Sequence, residues 1–230
     1  MTTPPRIAVT MGDPAGIGPE LCLRLLDNAR VREICSPLVF GDLKLLQRVA
    51  RQLGWPSPDA SLVRDHNAID ADAVEPGKVS VLCGHAAYTY VISAIDDALA
   101  GKVDAVATGP IHKEALHAAG IPFPGHTEIL AERTKSPRAC MMLTSDAITC
   151  SLVTVHVGYR EVPGLLTRER ILETIDLTAQ AMRRLRGREP RLLVCGLNPH
   201  AGEHGLFGQG EEERIITPAI ADARKLGLDV

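Results

Sequence analysis

The feature that most constrains the fold of this chain is an alternation of short β-branched runs with longer amphipathic runs. The runs RIAVTM (6–11), PLVFGD (37–42) and VDAVATGP (103–110) have the length and composition of buried strands. Each of the first two runs is followed by a stretch in which apolar residues recur at helical spacing. A third such stretch, GHAAYTYVISAIDDALAG (84–101), precedes the third run. Strands alternating with helices predict an α/β fold, with a mostly parallel sheet covered on both faces.

The pattern changes in the second half of the chain. The stretch ACMMLTSDAITCSLVTVHV, which begins at residue 139, looks like two strands joined at TSDA, and it predicts an antiparallel pair. A long helical pattern and then the apolar run RLLVCGL (191–197) follow, and we interpret that run as a strand. We therefore expect two α/β units, residues 1–129 and residues 130–230.

Composition narrows the class of protein and its partners. The formal net charge of the 230 residues is −3, which gives no reason to expect a nucleic-acid partner. The six cysteines are scattered without a C-x-x-C pair, which is typical of a reducing compartment. Neither a signal peptide nor an apolar run of membrane-spanning length is found, so we expect a cytoplasmic protein without a membrane partner.

The loop GDPAGIGPE (12–20) follows the first predicted strand and partly imitates a dinucleotide-binding fingerprint. Asp42, at the end of the next strand, would then be the ribose-binding acid. The match is poor, because the third glycine position falls on Leu21 and Pro19 removes a backbone amide. A tight turn at an active site is the better interpretation of this loop.

Three side chains near predicted element ends are candidates for substrate contacts. Lys113 comes just after the strand 103–110, where it could hold a phosphate or carboxylate or could simply be solvated. His126 and Thr127 precede a predicted helix, where the threonine could cap the helix, face a ligand, or do both.

His156 and His200 are candidates for metal ligands. Each is expected at the carboxyl end of an apolar strand, and two neighbouring strands would bring both imidazoles to one edge of a sheet. Two imidazoles can begin a divalent-metal site and leave positions for other ligands. A single histidine on such a strand is more often a core residue, so the interpretation as a metal site depends on the fold.

Four segments together carry a family resemblance: MGDPAGIGPE, ATGPIHKEALHAAGIPFPGHTE, GLNPHAGEHGLFG and EEERIITPAIADARKLGLDV. In this order they resemble the 4-hydroxythreonine-4-phosphate dehydrogenase family of pyridoxal phosphate biosynthesis, which includes close relatives that oxidise 4-phospho-D-threonate or 4-phospho-D-erythronate. The resemblance runs from residue 6 to residue 230.

This resemblance implies an isocitrate/isopropylmalate-dehydrogenase-like fold, with two α/β/α domains flanking a cleft and a homodimer that shares its active sites. It implies NAD-dependent oxidation and decarboxylation of a small phosphorylated β-hydroxy acid, with a divalent metal such as Zn²⁺, Mg²⁺ or Co²⁺. By the same resemblance His156 and His200 are expected metal ligands, and His126 and Thr127 are expected substrate contacts.

The family's pattern continues beyond the last residue of this sequence, through a YHDQG-type segment that supplies a third metal histidine. We therefore expect the first unit to lack its usual completion and the second to be incomplete. The expected substrate is 4-hydroxythreonine 4-phosphate, and the alternative substrates are 4-phospho-D-threonate, 4-phospho-D-erythronate and an aromatic cis-dihydrodiol carboxylate. Two other functions remain as alternatives: a non-catalytic remnant and a metal-dependent hydrolase.

Overall fold

The computed structural model describes residues 4–230. The chain divides into two compact units, Met1–Ser136 and Pro137–Val230. The division falls later than the expected boundary between residues 129 and 130, because that boundary lies inside the helix His126–Thr134, which packs against the first unit.

Strands and helices alternate in the first unit, as expected. The strands are β1 (Arg6–Thr10), β2 (Ser36–Gly41), β3 (Val63–Asp65) and β4 (Ala105–Thr108). The helices are α1 (Gly18–Asp27), α2 (Ala29–Ile34), α3 (Leu43–Leu53), α4 (Val81–Leu99), α5 (Lys113–Ala118) and α6 (His126–Thr134).

The strands of the first unit form a parallel sheet in the order β3-β2-β1-β4. Val9 of β1 pairs with Val39 of β2 on one side and with Ala107 of β4 on the other. Buried side chains from β1, β2 and helices α1, α3 and α4 form one apolar core, in which Val39 and Phe40 are fully buried. The predicted parallel α/β sheet is therefore confirmed.

Strand β4 departs from its prediction as a buried strand. Ala105, Ala107 and Thr108 are exposed, and only Val106 is half-buried. Within the described residues β4 pairs with β1 alone and is an edge of the sheet. An apolar run indicates a strand, but its burial depends on neighbours that the run itself does not encode.

The segment 55–78 connects α3 to α4 and is mostly irregular, although it contributes β3 to the sheet. Its backbone is tied to the helices rather than left to solvent. The Arg48 guanidinium of α3 donates to the carbonyl of Ala71, and at 2.9 Å to the carbonyl of Val74. Both of these residues are buried in the core of the first unit.

The second unit has fewer strands than the first, and its core lies between two helices. Its strands are β5 (Met141–Thr144) and β6 (Thr149–Leu152), and its helices are α7 (Val162–Leu165), α8 (Arg168–Arg186) and α9 (Thr217–Lys225). The two strands form the predicted antiparallel hairpin, with Met141 opposite Leu152. Ile171 and Ile175 of α8 pack with Ala219 and Ala223 of α9 in the core of this unit.

The predicted strand 191–197 is wrong. The structure gives this run one isolated bridge, in which Arg191 pairs with Asp229, and the rest is irregular. Leu193 is 91% exposed, so the run lacks the neighbouring strand that would bury it.

Across residues 4–230, no helix is both long enough and apolar enough to cross a membrane.

Candidate functional site

The turn after β1 uses its glycines for close contacts between chain segments. A Cβ atom on Gly12 would lie 2.3 Å from the carbonyl oxygen of Pro110, and one on Gly18 would lie 1.8 Å from that of Met11. The Asp13 amide donates to the Pro110 carbonyl at 2.8 Å, so the loop is bound to the chain that follows β4. These glycines therefore serve tight packing, as expected for a tight turn rather than a phosphate-binding loop.

Asp42 is not available to bind a ribose. Its carboxylate is 1% exposed and accepts hydrogen bonds from the hydroxyl of Tyr90 and, at 2.7 Å, from the amide of Ala68. Burial and this hydrogen bond both raise the pKa of Tyr90, so the phenol keeps its proton and remains a donor. Asp42 is thus a structural group and not the acid of a dinucleotide-binding site.

Helix α6 holds His126 at its first residue. Ile129 of α6 is 1% exposed and packs with Val91 and Ile95 of α4. At the other end of α6, Arg133 forms a bidentate ion pair with Asp96 of α4, at 2.6 and 2.7 Å. Apolar packing and the ion pair together fix the helix on α4, and they fix the backbone from which His126 projects.

The His126 imidazole has an unfilled hydrogen-bonding position. Burial lowers the pKa of His126, and a hydrogen bond to the backbone of Gly109 opposes this shift. Its Nε2 atom is buried and has no partner within residues 4–230, and the same holds for Oε2 of Glu128 two residues later. Such an orphaned atom is costly unless something binds there, so His126 can offer a hydrogen bond to a ligand.

Thr127 and Lys113 are placed differently from His126. The N-cap of α6 is Gly125, so Thr127 lies inside the helix, half-buried, and does not cap it. Lys113 is the exposed first residue of α5 and forms no ion pair among the described side chains. The hydrogen bond of His126 to Gly109 brings α6 to the carboxyl end of β4, and α5 begins shortly after that point.

His156 and His200 do not lie at the edge of a sheet. Strand β6 ends at Leu152, and His156 follows in an irregular segment, exposed and with a φ of +56°. His200 lies after the irregular run 191–197, also exposed, with a φ of +52°. Both imidazoles are in the second unit, and neither has a hydrogen-bond partner in the part of the chain that the structure describes.

A left-handed turn carries His200. Residues 200–204 all have positive φ, between +43° and +79°, although only Gly202 among them is a glycine. For other L-residues this conformation costs roughly 1–2 kcal/mol each, so surrounding contacts must hold the turn.

A buried pair of carboxylates lies beneath this turn, and the sequence analysis did not find it. Glu211 and Glu212 are only 5% and 6% exposed and both accept hydrogen bonds from Asn198. Backbone hydrogen bonds hold the pKa of each carboxyl below its usual range. The run EEE at 211–213 is typical of a solvated surface, and the one available signal was its position beside the glycine-rich segment 202–210.

The described residues contain no group of three or more His, Cys, Asp or Glu side chains that could hold a metal ion. His156 and His200 are nevertheless exposed imidazoles without a hydrogen-bond partner among residues 4–230, and imidazole nitrogens are donors that divalent transition metals accept. Two such ligands leave coordination positions for groups from elsewhere.

Comparison with known proteins decides the family. Residues 33–230 match the family model of the pyridoxal phosphate biosynthetic protein PdxA. The chain belongs to the PdxA family. The family resemblance predicted from the sequence is thereby confirmed.

Individual members of the PdxA family match almost the whole chain. The 4-hydroxythreonine-4-phosphate dehydrogenase of Trichlorobacter lovleyi is 42% identical over 247 residues, covering 100% of this chain and 73% of that relative. The D-threonate 4-phosphate dehydrogenase of Cupriavidus necator is 40% identical, covering 98% and 72%. The crystal structure of the 4-hydroxythreonine-4-phosphate dehydrogenase from Klebsiella pneumoniae superposes with a TM-score of 0.86 at 36% identity, covering 99% and 72%.

These likenesses confirm the predicted fold class, an α/β fold of the isocitrate/isopropylmalate-dehydrogenase-like type. The relatives are dehydrogenases, so PdxA family membership assigns this chain to the oxidoreductases.

Proposed function

We propose that this chain is an NAD-dependent and divalent-metal-dependent dehydrogenase that oxidises and decarboxylates a phosphorylated β-hydroxy acid. The proposed substrate is 4-hydroxythreonine 4-phosphate, on the route to pyridoxine 5′-phosphate. The observation that carries the proposal is the 42% identity of the entire chain to a 4-hydroxythreonine-4-phosphate dehydrogenase.

The geometry of His126 supports a substrate contact. Its lowered pKa favours a neutral imidazole near neutral pH, and its unpartnered buried Nε2 leaves one hydrogen bond unmade. We assign His126 and the adjacent Thr127 to binding the polar groups of the substrate. The exposed ammonium of Lys113 is assigned to the substrate's phosphate or carboxylate, for which a mobile point charge is suited.

We assign His156 and His200 to the divalent metal, as part of a site completed by groups beyond these two imidazoles. When bound, such a cation stabilises the negative charge that develops on substrate oxygen during oxidation and loss of CO₂. NAD, when bound, would supply the acceptor for the hydride that leaves the substrate. The role of the two histidines is to hold the cation, and the role of His126 is to orient the substrate.

A second candidate substrate is 4-phospho-D-threonate. The 40% identity to the D-threonate 4-phosphate dehydrogenase of Cupriavidus necator favours it almost as strongly. Both candidates carry a phosphate, a hydroxyl and a carboxylate, so His126 and Lys113 suit either one.

The test is an assay of NADH formation with each phosphorylated substrate and with an aromatic cis-dihydrodiol carboxylate as the third class. We expect turnover with one of the first two, loss of turnover when the metal is chelated, and a loss of at least about 100-fold for His200→Ala. Unchanged turnover in that variant would refute the role of His200. Phosphate release without NAD would indicate a hydrolase instead.

We also propose that the active protein is a homodimer with shared active sites. Sedimentation of the chain at several concentrations measures this directly. A folded monomer that turns over none of the three substrate classes would support a non-catalytic remnant and contradict the proposed function.

A further inference from the structure

The left-handed turn at residues 200–204 has an unfavourable backbone conformation, so contacts with the rest of the protein must stabilise it. Asn198, two residues before His200, is held at both its backbone and its side chain. Its amide N–H donates to Oε1 of Glu212 at 2.7 Å, and the amide of Leu197 donates to the same oxygen at 2.9 Å. The Asn198 side-chain amide donates to Oε2 of Glu212 at 3.1 Å and to Oε2 of Glu211 at 3.0 Å.

The turn is shaped closely around these two carboxylates. A Cβ atom on Gly202 would lie 2.7 Å from Oε2 of Glu212, and a Cβ atom on Gly208 would lie 2.5 Å from Oε2 of Glu211. Both glycines have positive φ, so they supply the conformation and also leave the space. The chain from residue 196 to residue 210 therefore wraps a preformed pair of buried carboxylates.

The His200 ring depends on this backbone for its position. Within residues 4–230 it forms no hydrogen bond, and its aromatic contact is with Phe207 at 6.2 Å between ring centroids. The carbonyl of Asn198 accepts from the amide of Ala201 at 3.2 Å, which closes the chain around His200. Apart from the contact with Phe207, the position of the imidazole is therefore set by Asn198 and the turn that follows it.

We propose that Glu212, assisted by Glu211, is a positioning residue for His200. The two carboxylates hold Asn198 so that the left-handed turn presents the His200 imidazole to a divalent cation. This inference rests on the proposed function, because that function makes His200 a metal ligand.

The test compares Glu212→Gln with Glu213→Gln in the full chain. Glutamine at position 212 replaces one acceptor oxygen by an NH₂ group, which cannot accept from Asn198. Glu213 is exposed and makes no side-chain hydrogen bond among the described residues, so the same change there is a matched control.

The readout is the paramagnetic broadening of the His156 and His200 ring signals by Mn²⁺ alone, assigned with His156→Ala and His200→Ala. We expect the Mn²⁺ concentration for half-broadening to rise by about tenfold in Glu212→Gln and to change by less than about twofold in Glu213→Gln. Thermal unfolding of each variant sets a temperature at which all are folded. If Glu212→Gln does not fold, Asn198→Ala replaces it in the test. Asn198→Ala removes only the side-chain amide, so the expected rise in the Mn²⁺ concentration is smaller.

The possible results separate the two proposals. A folded Glu212→Gln variant that responds to Mn²⁺ like the unsubstituted chain overturns the positioning role. If His200→Ala leaves the Mn²⁺ broadening of the His156 ring signal unchanged, the metal assignment of His200 in the proposed function fails, and the positioning role fails with it. Weaker Mn²⁺ binding in both His200→Ala and Glu212→Gln, but not in Glu213→Gln, supports both.

Discussion

The charge state of His126 depends on the surroundings of its side chain more than on its residue type. Burial lowers its pKa from the usual 6.5, which favours the neutral ring, while its Nε2 atom remains unpartnered among the described residues. The sequence identified His126 because it stands before a helix between glycine and threonine. The sequence did not indicate the burial that decides its charge, because burial results from the docking of α6 on α4.

The lowered pKa of His126 predicts a pH-dependent stability. Below the unfolded-state pKa of about 6.5, the unfolded chain binds a proton that the folded chain resists, so the free energy of unfolding should fall as the pH decreases. Urea unfolding at about pH 7.5 and about pH 5.5 measures this change, since most carboxylates stay ionised over that interval. We expect the decrease to be smaller in His126→Asn. The exposed His117 provides the control His117→Asn, and an equal decrease in both variants would contradict the prediction.

The left-handed turn gives a second prediction for one residue. Gly202→Ala places a methyl group against Oε2 of Glu212 at a φ of +79°, and should lower the free energy of unfolding by about 2 kcal/mol or more. Gly205 has a φ of +89° but open space around its Cβ position, so Gly205→Ala should cost only about 1 kcal/mol. Denaturant unfolding of both variants isolates the contact with Glu212, and equal costs would show that the contact is unimportant.

At the scale of the element, α6 is fixed mainly by apolar packing. Ile129→Ala removes a side chain that is 1% exposed between Val91 and Ile95 and should cost about 3 kcal/mol. The Arg133–Asp96 pair is nearly half exposed at both ends and is screened by solvent, so breaking it should cost much less than the loss of the Ile129 side chain. Leu99→Ala, at a 61% exposed position of α4, serves as the control with little expected change in urea unfolding. A larger loss from Asp96→Ala than from Ile129→Ala would reverse this ranking.

Elements were predicted well where the local pattern suffices to define them. The helix α8 (Arg168–Arg186) begins after the capping Thr167, whose side chain accepts from the amide of Arg170, and apolar periodicity marks its length. The run 191–197 was misassigned because a strand requires a partner, and an apolar stretch does not reveal whether one is present. The left-handed conformations of His156 and His200 could not be predicted from the sequence, because histidine adopts positive φ more often than most non-glycine residues but still in only a small fraction of cases.

At the scale of the whole molecule, the fold class followed from the alternation of patterns, while the boundary between units did not. The boundary shifted to Ser136 because α6 packs on α4, which is a tertiary contact. The same limit applies to the candidate site. Its histidines could be found by type and by family resemblance, but the carboxylates beneath His200 looked like an ordinary charged surface.

The buried hydrogen bond between Tyr90 and Asp42 predicts a stability effect on the first unit as a whole. Tyr90→Phe leaves a buried carboxylate with one donor fewer, and should lower the free energy of unfolding by about 1–3 kcal/mol. Tyr88, on the same helix, is half-buried and its hydroxyl makes no hydrogen bond among the described residues, so Tyr88→Phe is the matched control. Equal unfolding midpoints for the two variants would contradict a structural role for Asp42.

The attachment of the irregular segment 55–78 also limits how this enzyme can move. In some enzymes a loop acts as a lid that swings shut over the substrate. This one is unsuited to that motion, because swinging it outward would break the bonds from Arg48 to the carbonyls of Ala71 and Val74 and would expose both side chains to water. Its movements are therefore coupled to the opening of the core itself, so we expect no fast closure from this segment.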